Sequence, residues 1–244
     1  MAGNFVQLHN HTHYSLLDGA SKVPDLVKRV KELGMPAVGI TDHGNMHGAY
    51  ELCRAAVDSG IKPIIGIEAY VTPETARQDK TRVSWDTNWT PVPGHARNPD
   101  DVSGGGLITH LTMWAENDEG LVNLIKASSV ANLEGRVMRY PRMDKEVLST
   151  YSKGVIASSG CPSGIIQTRL RLGQFDEALR AAGEFQDIFG KDNFYIELMD
   201  HGLSIESKVT GDLLTIAKKL GAPLLATNDS HYVMEADKDA QDAM

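Results

Sequence analysis

The chain has 244 residues, 41% of them hydrophobic, which is enough for one sizeable core and matches the roughly 200–250 residues of a single α/β barrel. A net charge of −8 excludes a protein that grips nucleic acid over a broad surface, because that grip comes from neutralising phosphates with Lys and Arg, so any DNA contact must be local. No apolar run approaches the roughly 18 residues of a membrane span, and the N-terminus lacks a signal-peptide pattern, so no membrane and a cytoplasmic location are expected.

Taken in order, the chain opens with a strand-like run at 5–8, followed by an amphipathic helix at about 23–33. There Val23, Leu26, Val27, Val30 and Leu33 share one face and Gly34 supplies the stop. The same unit recurs as a strand at 37–40 with a helix near 46–59, a strand at 64–71, and a strand at 107–113 with a helix near 118–129. Strands at 155–157, 194–198 and 224–226 follow, each beside a helical pattern. Seven short strands alternating with helices predict a parallel sheet in a single α/β domain over 1–244, and their count favours a seven-stranded barrel over an open doubly wound sheet, which the pattern also allows. An insertion at about 74–106, with Trp85, Trp89 and Gly104-Gly105-Gly106, interrupts the alternation. Residues 235–244 read as the start of an uncapped helix, so the chain is expected to be a piece of something larger.

The best metal ligands fall in these strands or just after their C-terminal ends, where α/β barrels build sites. His9 and His11 follow the first strand, and residues two apart in extended chain point the same way, so both imidazoles reach one metal. Asp18 follows in a Leu-Leu-Asp-Gly turn, and His43 after the second strand. Glu68 lies in the third strand, His110 in the fourth, Cys161 after the fifth, and Asp229 and His231 after the seventh. Singly, a histidine after a strand more often caps or hydrogen-bonds than ligates. Glu68 is different, because a carboxylate within Ile64-Ile65-Gly66-Ile67-Glu68-Ala69-Tyr70-Val71 needs a metal or a salt bridge. Cys161 is as consistent with packing as with ligation, and Cys53 reads as core; their contexts argue against a disulfide framework. Asp25, Asp42, His13, His47, His95 and His201 are set aside, Asp42 as a residue that orients a neighbour or caps a helix, with His201 and Glu197 as reserves.

Leu8-His9-Asn10-His11, Thr41-Asp42-His43-Gly44, Glu68, Thr109-His110, Gly160-Cys161-Pro162 and Asn228-Asp229-Ser230-His231 in this order resemble the polymerase and histidinol phosphatase (PHP) family over nearly the whole chain. Ser15-Leu16-Leu17-Asp18-Gly19-Ala20 and Thr227-Asn228-Asp229 point within it to the domain that opens the alpha subunit of bacterial DNA polymerase III. The resemblance implies a distorted seven-stranded barrel with a trinuclear metal centre at the C-terminal face of the strands. His9, His11, Glu68 and Asp229 would hold one ion and form the catalytic set. Glu68 would be shared with a second ion that takes His110 and Cys161, while Asp18, His43 and His231 would hold the third. The family often has histidine where this chain has Asp18 and Cys161.

Three divalent ions against Asp18, Glu68, Asp229 and a Cys161 thiolate leave a charge of about +2, which attracts a phosphodiester. Mixed N, O and S ligands suit zinc, with manganese or iron as alternatives, and neutral imidazoles predict that binding weakens below about pH 6.5. The expected function is metal-dependent phosphodiester hydrolysis, as a 3′ to 5′ proofreading exonuclease acting on a DNA 3′ end. Expected partners are the remainder of the polymerase alpha subunit and other replication subunits. The alternatives are a docking module without turnover and a small-molecule phosphatase or pyrophosphatase. Trp85 and Trp89 are a further candidate stacking surface for bases.

Overall fold

The computed structural model describes residues 5–86, 88–90, 98–101 and 104–244. Helix α1 (Val23–Glu32) starts on a proline in its first turn, buries Val23, Leu26, Val27 and Val30, and ends with Arg29 and Lys31 against the negative end of its dipole. It packs with the fully buried β1 (Ala37–Ile40), α2 (Ala49–Asp58) and the first half of β2 (Lys62–Val71) in one apolar cluster. The larger cluster is built by the second half of β2, β3 (Thr109–Ala115), α3 (Asp118–Glu134), β4 (Arg142–Met143), α4 (Lys145–Thr150), β5 (Val155–Ser158), α5 (Ile165–Arg171), α6 (Phe175–Phe189), β6 (Phe194–Leu198) and α7 (Ser204–Leu220). The last strand is β7 (Leu224–Ala226), followed by a short 3-10 turn at Glu235–Asp237 and α8 (Lys238–Asp242).

The strands form one curled mixed sheet in the order β1-β2-β3-β5-β6-β7, with β4 beside the end of β2. The expected all-parallel array is not what forms: β3 runs antiparallel to both β2 and β5. Its connection from β2 runs through the 74–106 insertion, which supplies no crossover helix among the described residues, so the chain returns in the opposite sense as a very long hairpin would. The expected first strand is also absent as a regular element. Gln7 and Asn10 make isolated bridges, the first to Val38 of β1 and the second to Ser230 beyond β7. The segment at 7–11 thus spans the two edges of the sheet, with Gly39 N–H donating to Gln7 O at 2.7 Å and His11 N–H to Ser230 O at 2.8 Å. Glycine is required at position 39, because a Cβ there would run into the Leu8 carbonyl.

The reversal of β3 has a local use. Because β3 begins at the rim where β1, β2 and β5 end, His110 near its start lies beside Glu68, which sits across the β2–β3 ladder from Thr112. Within the insertion, Trp85 is buried under the Arg169 guanidinium, 4.3 Å from its ring centroid, and its carbonyl accepts from Gln174. It is a packing residue, not a free stacking surface. Arg142, fully buried, donates to the carbonyls of Arg77, Asp79, Leu107 and Gly135 and so ties both flanks of the insertion to β4. His95 lies outside the described residues.

Candidate metal centre

Nine side chains converge on the rim. His9 Nε2 is 3.4 Å from Glu68 Oε1 and 3.2 Å from Asp229 Oδ1, while His11 Nε2 is 3.3 Å from Glu68 Oε2 and 3.1 Å from Asp229 Oδ1. His43 reaches both ways, with Nδ1 2.8 Å from Glu68 Oε2 and Nε2 2.8 Å from Asp18 Oδ2. His231 Nε2 is 3.0 Å from the same Asp18 oxygen, and His110 Nδ1 is 3.3 Å from Glu68 Oε1 and 3.4 Å from Cys161 Sγ. Among the described residues, three groups have potential ligand atoms mutually within 4.8 Å: His9, His11 and Asp229; His43, Glu68 and His110; and His11, Asp18, His43 and His231. These groups overlap the partition that the resemblance implies but differ from it in four ways: Glu68 falls outside the first group, His43 joins the second, Cys161 stands beside the second rather than inside it, and His11 joins the third.

The donor set fits divalent metals. His9 Nε2, His11 Nε2, His43 Nδ1, both Glu68 oxygens and Asp229 Oδ1 are buried with no hydrogen-bond partner although they face one another. Such orphaned atoms cost about 1–3 kcal/mol each unless something binds them. Bonds of about 2.0–2.1 Å in a tetrahedron place neighbouring ligand atoms about 3.3 Å apart, and the separations around His9, His11, Glu68 and Asp229 run from 3.1 to 3.4 Å.

A second layer of residues sets which nitrogen is offered. His9 Nδ1 donates to Glu197 Oε1 at 2.7 Å, and Glu197 in turn accepts from Thr227 Oγ1 at 2.5 Å and from Ser158 Oγ. His11 Nδ1 donates to Ser15 Oγ at 3.0 Å, and Ser15 donates to Asp42 Oδ1 at 2.7 Å. His231 Nδ1 donates to the Asp229 carbonyl at 2.7 Å. Each of these rings therefore keeps Nε2 free for a ligand. Asp229 itself is held at φ +46, a left-handed conformation that Asp tolerates better than most residues and that turns its carboxylate inward.

The electrostatics are those of histidines and carboxylates buried against one another. Burial alone would push His9 down, but Asp229, Glu197 and Glu68 outweigh it and raise its pKa well above the ordinary value. His43 is pushed up to about 10, where Glu68 and Asp18 overcome a burial that works the other way, and His231 is raised by Asp18 and Asp229 against the same opposing burial. The carboxylates move oppositely: burial would raise Asp18, Glu68 and Asp229, yet the surrounding histidines hold all three well below the carboxylate range. Burial and then Glu68 and Asp229 push the Cys161 thiol well up, so in the metal-free site it is protonated.

Sequence reasoning left Glu197 in reserve and missed Ser15, Ser158 and Tyr70, whose ring stacks at 5.6 Å on His43. Glu197 carried the same signal as Glu68, a carboxylate inside the apolar strand Phe-Tyr-Ile-Glu-Leu. Asp42 does orient neighbours, accepting from Thr12 and Ser15. His201 lies outside the cluster, bonded to Glu206 and to the Asn228 carbonyl. His13 faces Glu51 at 4.0 Å, and Cys53 packs with the first apolar cluster.

Comparison with known proteins adds the following. The family model described as PHP domain matches residues 7–201. DNA polymerase III subunit alpha of Mycobacterium leprae is 53% identical over 230 residues, which is 94% of this chain and 19% of that protein. The protein of the same name from Saccharopolyspora erythraea is 53% identical over 240 residues, covering 98% and 20%. The chain thus spans about a fifth of the length of these relatives. Among solved structures, an amidohydrolase from Chromobacterium violaceum shares the fold with a TM-score of 0.54 at 14% identity, covering 99% of this chain and 96% of that one. No helix among the described residues is long and apolar enough to cross a membrane.

Proposed function

The chain belongs to the PHP domain family, and from that premise we propose that it is a metal-dependent phosphodiesterase, a 3′ to 5′ exonuclease that removes nucleotides from a DNA 3′ end. The observation that carries the reading is the set of buried, unpartnered nitrogen and carboxylate atoms that face one another at one rim of the sheet. His9, His11, Glu68 and Asp229 would hold one ion, Glu68 with His43 and His110 a second, with Cys161 beside it, and Asp18, His43 and His231 a third. Zinc suits this donor set, with manganese or iron as alternatives. Bound divalent ions would supply Lewis acidity and a water of lowered pKa. The chain's own residues do the rest. Glu197 and Ser15 fix the ring orientations, the buried wall behind Glu68 keeps bulk water out, and the half-exposed Asp18 leaves one side of the centre open to a phosphate.

Since the chain corresponds to a fifth of its relatives, we further propose that it acts beside a polymerase in one longer alpha subunit, in the cytoplasm, with other replication subunits as partners. All of 1–244 would be one barrel-like domain whose sheet is completed by the segment at 7–11. The test is a time course with a 5′-labelled primer carrying a mismatched 3′ end, in zinc or manganese, beside the His11→Ala and Asp229→Ala variants. A shortening ladder from the unaltered protein alone supports the reading. Equal ladders from the variants refute it, and metal-dependent melting with no ladder points to a docking module instead.

A further inference from the structure

Beside the metal centre opens a cavity of about 520 Å³, within the range of about 300–1,000 Å³ of small-ligand sites. Two tight turns form its lips. In one, Leu16 and Leu17 are 81% and 77% exposed, and Leu17 is held at φ +62. In the other, Val137 and Tyr140 exchange backbone hydrogen bonds across Met138, held at φ +55 and 73% exposed. Left-handed backbone at a bulky residue is costly, and the exposed Leu16 and Leu17 at the cleft are not explained by packing, while the second turn sets Arg136, Arg139 and Tyr140 on the opposite lip.

The charge of the cavity opposes that of the chain. Although the net charge is −8, the titratable side chains lining the cavity are Arg136, Arg139, three histidines and three tyrosines, with Asp18 the one carboxylate among the described residues. Neither arginine forms an ion pair among those residues. Arg136 bonds only the Met138 carbonyl, at 3.5 Å, and Arg139 lies 5.2 Å over the Tyr140 ring. Tyr140 packs edge-on against Tyr70 at 5.0 Å, and Tyr70 stacks on His43, so aromatic surface runs from the metal centre to the arginines.

We infer that this cavity seats the unpaired end of a single strand, with Tyr140 as the stacking wall for the terminal base, Arg136 and Arg139 on the backbone phosphates behind it, and Leu16–Leu17 as an apolar wedge opposite. The inference rests on the phosphodiesterase reading for the identity of the strand's reacting end. A base enters the cavity only after leaving its partner, and unpairing costs least for a mismatched end. The rim therefore selects frayed termini before any bond is cut.

The test is fluorescence anisotropy with a 5′-labelled eight-nucleotide single-stranded DNA whose 3′-terminal linkages are phosphorothioates, in zinc, over a series of salt concentrations. Expected results are a loss of about tenfold or more for Arg136→Ala/Arg139→Ala, with the logarithmic salt slope reduced by about 1.4 for two lost phosphate contacts. Tyr140→Ala loses about fivefold to tenfold, and Tyr140→Phe restores binding, because stacking needs the ring and not the hydroxyl. A blunt duplex binds at least tenfold more weakly than the single strand. Zinc content and melting temperature, measured on each variant, guard against a folding defect. Variants that bind as tightly as the unaltered protein with the same salt slope, or an unaltered protein that does not bind the oligonucleotide, overturn the inference. Binding changes of the expected size without a shortening ladder refute turnover and leave the rim standing; a ladder with no change in binding refutes the rim alone.

Discussion

Replacing Glu197 separates the orientation of a ligand from the ligand itself. Glu197 is 1% exposed and takes three hydrogen bonds, from His9 Nδ1, Thr227 Oγ1 and Ser158 Oγ. Glu197→Gln keeps an acceptor for His9 and Thr227, and Ser158 Oγ can turn to accept from the new amide, so the fold should hold to within about 1 kcal/mol. What is lost is the negative charge behind the imidazole. An outer carboxylate of this kind is worth about 10–100-fold in metal affinity, or about 1.4–2.7 kcal/mol. Glu197→Ala instead leaves three buried groups unpaired at about 1–3 kcal/mol each. At about 2–4 °C per kcal/mol for a chain of this size, the melting temperature should fall on the order of 10–20 °C. Zinc affinity by competition with a chromophoric chelator, with melts in zinc and in chelator, measures both effects. Zinc binding by Glu197→Gln within twofold of the unaltered protein would show that His9 needs no such support and would refute the reasoning.

Further outcomes follow from the same geometry. Glu68→Gln removes the carboxylate that faces four histidines, so metal analysis should show loss of two ions rather than one. In the metal-free protein His9, His43 and His231 have raised pKa values; their contribution to stability is full below the unfolded value of about 6.5 and is lost as pH rises through the folded values, about 10 for His43. Chemical denaturation in chelator should therefore show stability falling from pH 6.5 toward 10, while the apparent zinc affinity rises over the same window, and calorimetry in buffers of different ionisation heat should detect protons released on binding. Stripping one ion held at 100 times its Kd should cost about 2.7 kcal/mol, seen as a fall of about 5–11 °C in melting temperature. Gly44→Ala forces a Cβ at φ +64 to within 2.9 Å of the Tyr70 ring, so it should disturb the Tyr70–His43 stack and lower zinc affinity measured by chelator competition.

Most of the candidate ligands were legible because they are polar residues inside a strand pattern or within a few positions of its C-terminal end; Asp18, in a turn ten residues past the first apolar run, is the exception. Glu68 inside β2 is the clearest case. The reversal of β3 was not legible, since alternating strands and helices look the same whichever way a strand runs, and among the described residues the 74–106 insertion supplies no crossover helix. The apolar run at 5–8 reads as a strand, yet the segment at 7–11 makes isolated bridges rather than a ladder because it shares its bonds between two edges of the sheet. Ser15 and Ser158 were invisible for a simpler reason. A serine announces nothing until the ring it holds, or the carboxylate it bonds, is seen beside it.

The candidate ligands His9 and His11 lie near one end of the sequence, while Asp229 and His231 lie more than two hundred positions later, and the backbone joins them there through Ser230. Closing so long a loop is the slowest kind of contact for a chain to make. The candidate site is therefore expected to mature after most of the sheet. In a chain interrupted before residue 229, the group of His9, His11 and Asp229 would lack its carboxylate. Metal retention on refolding therefore reports completion, not merely collapse.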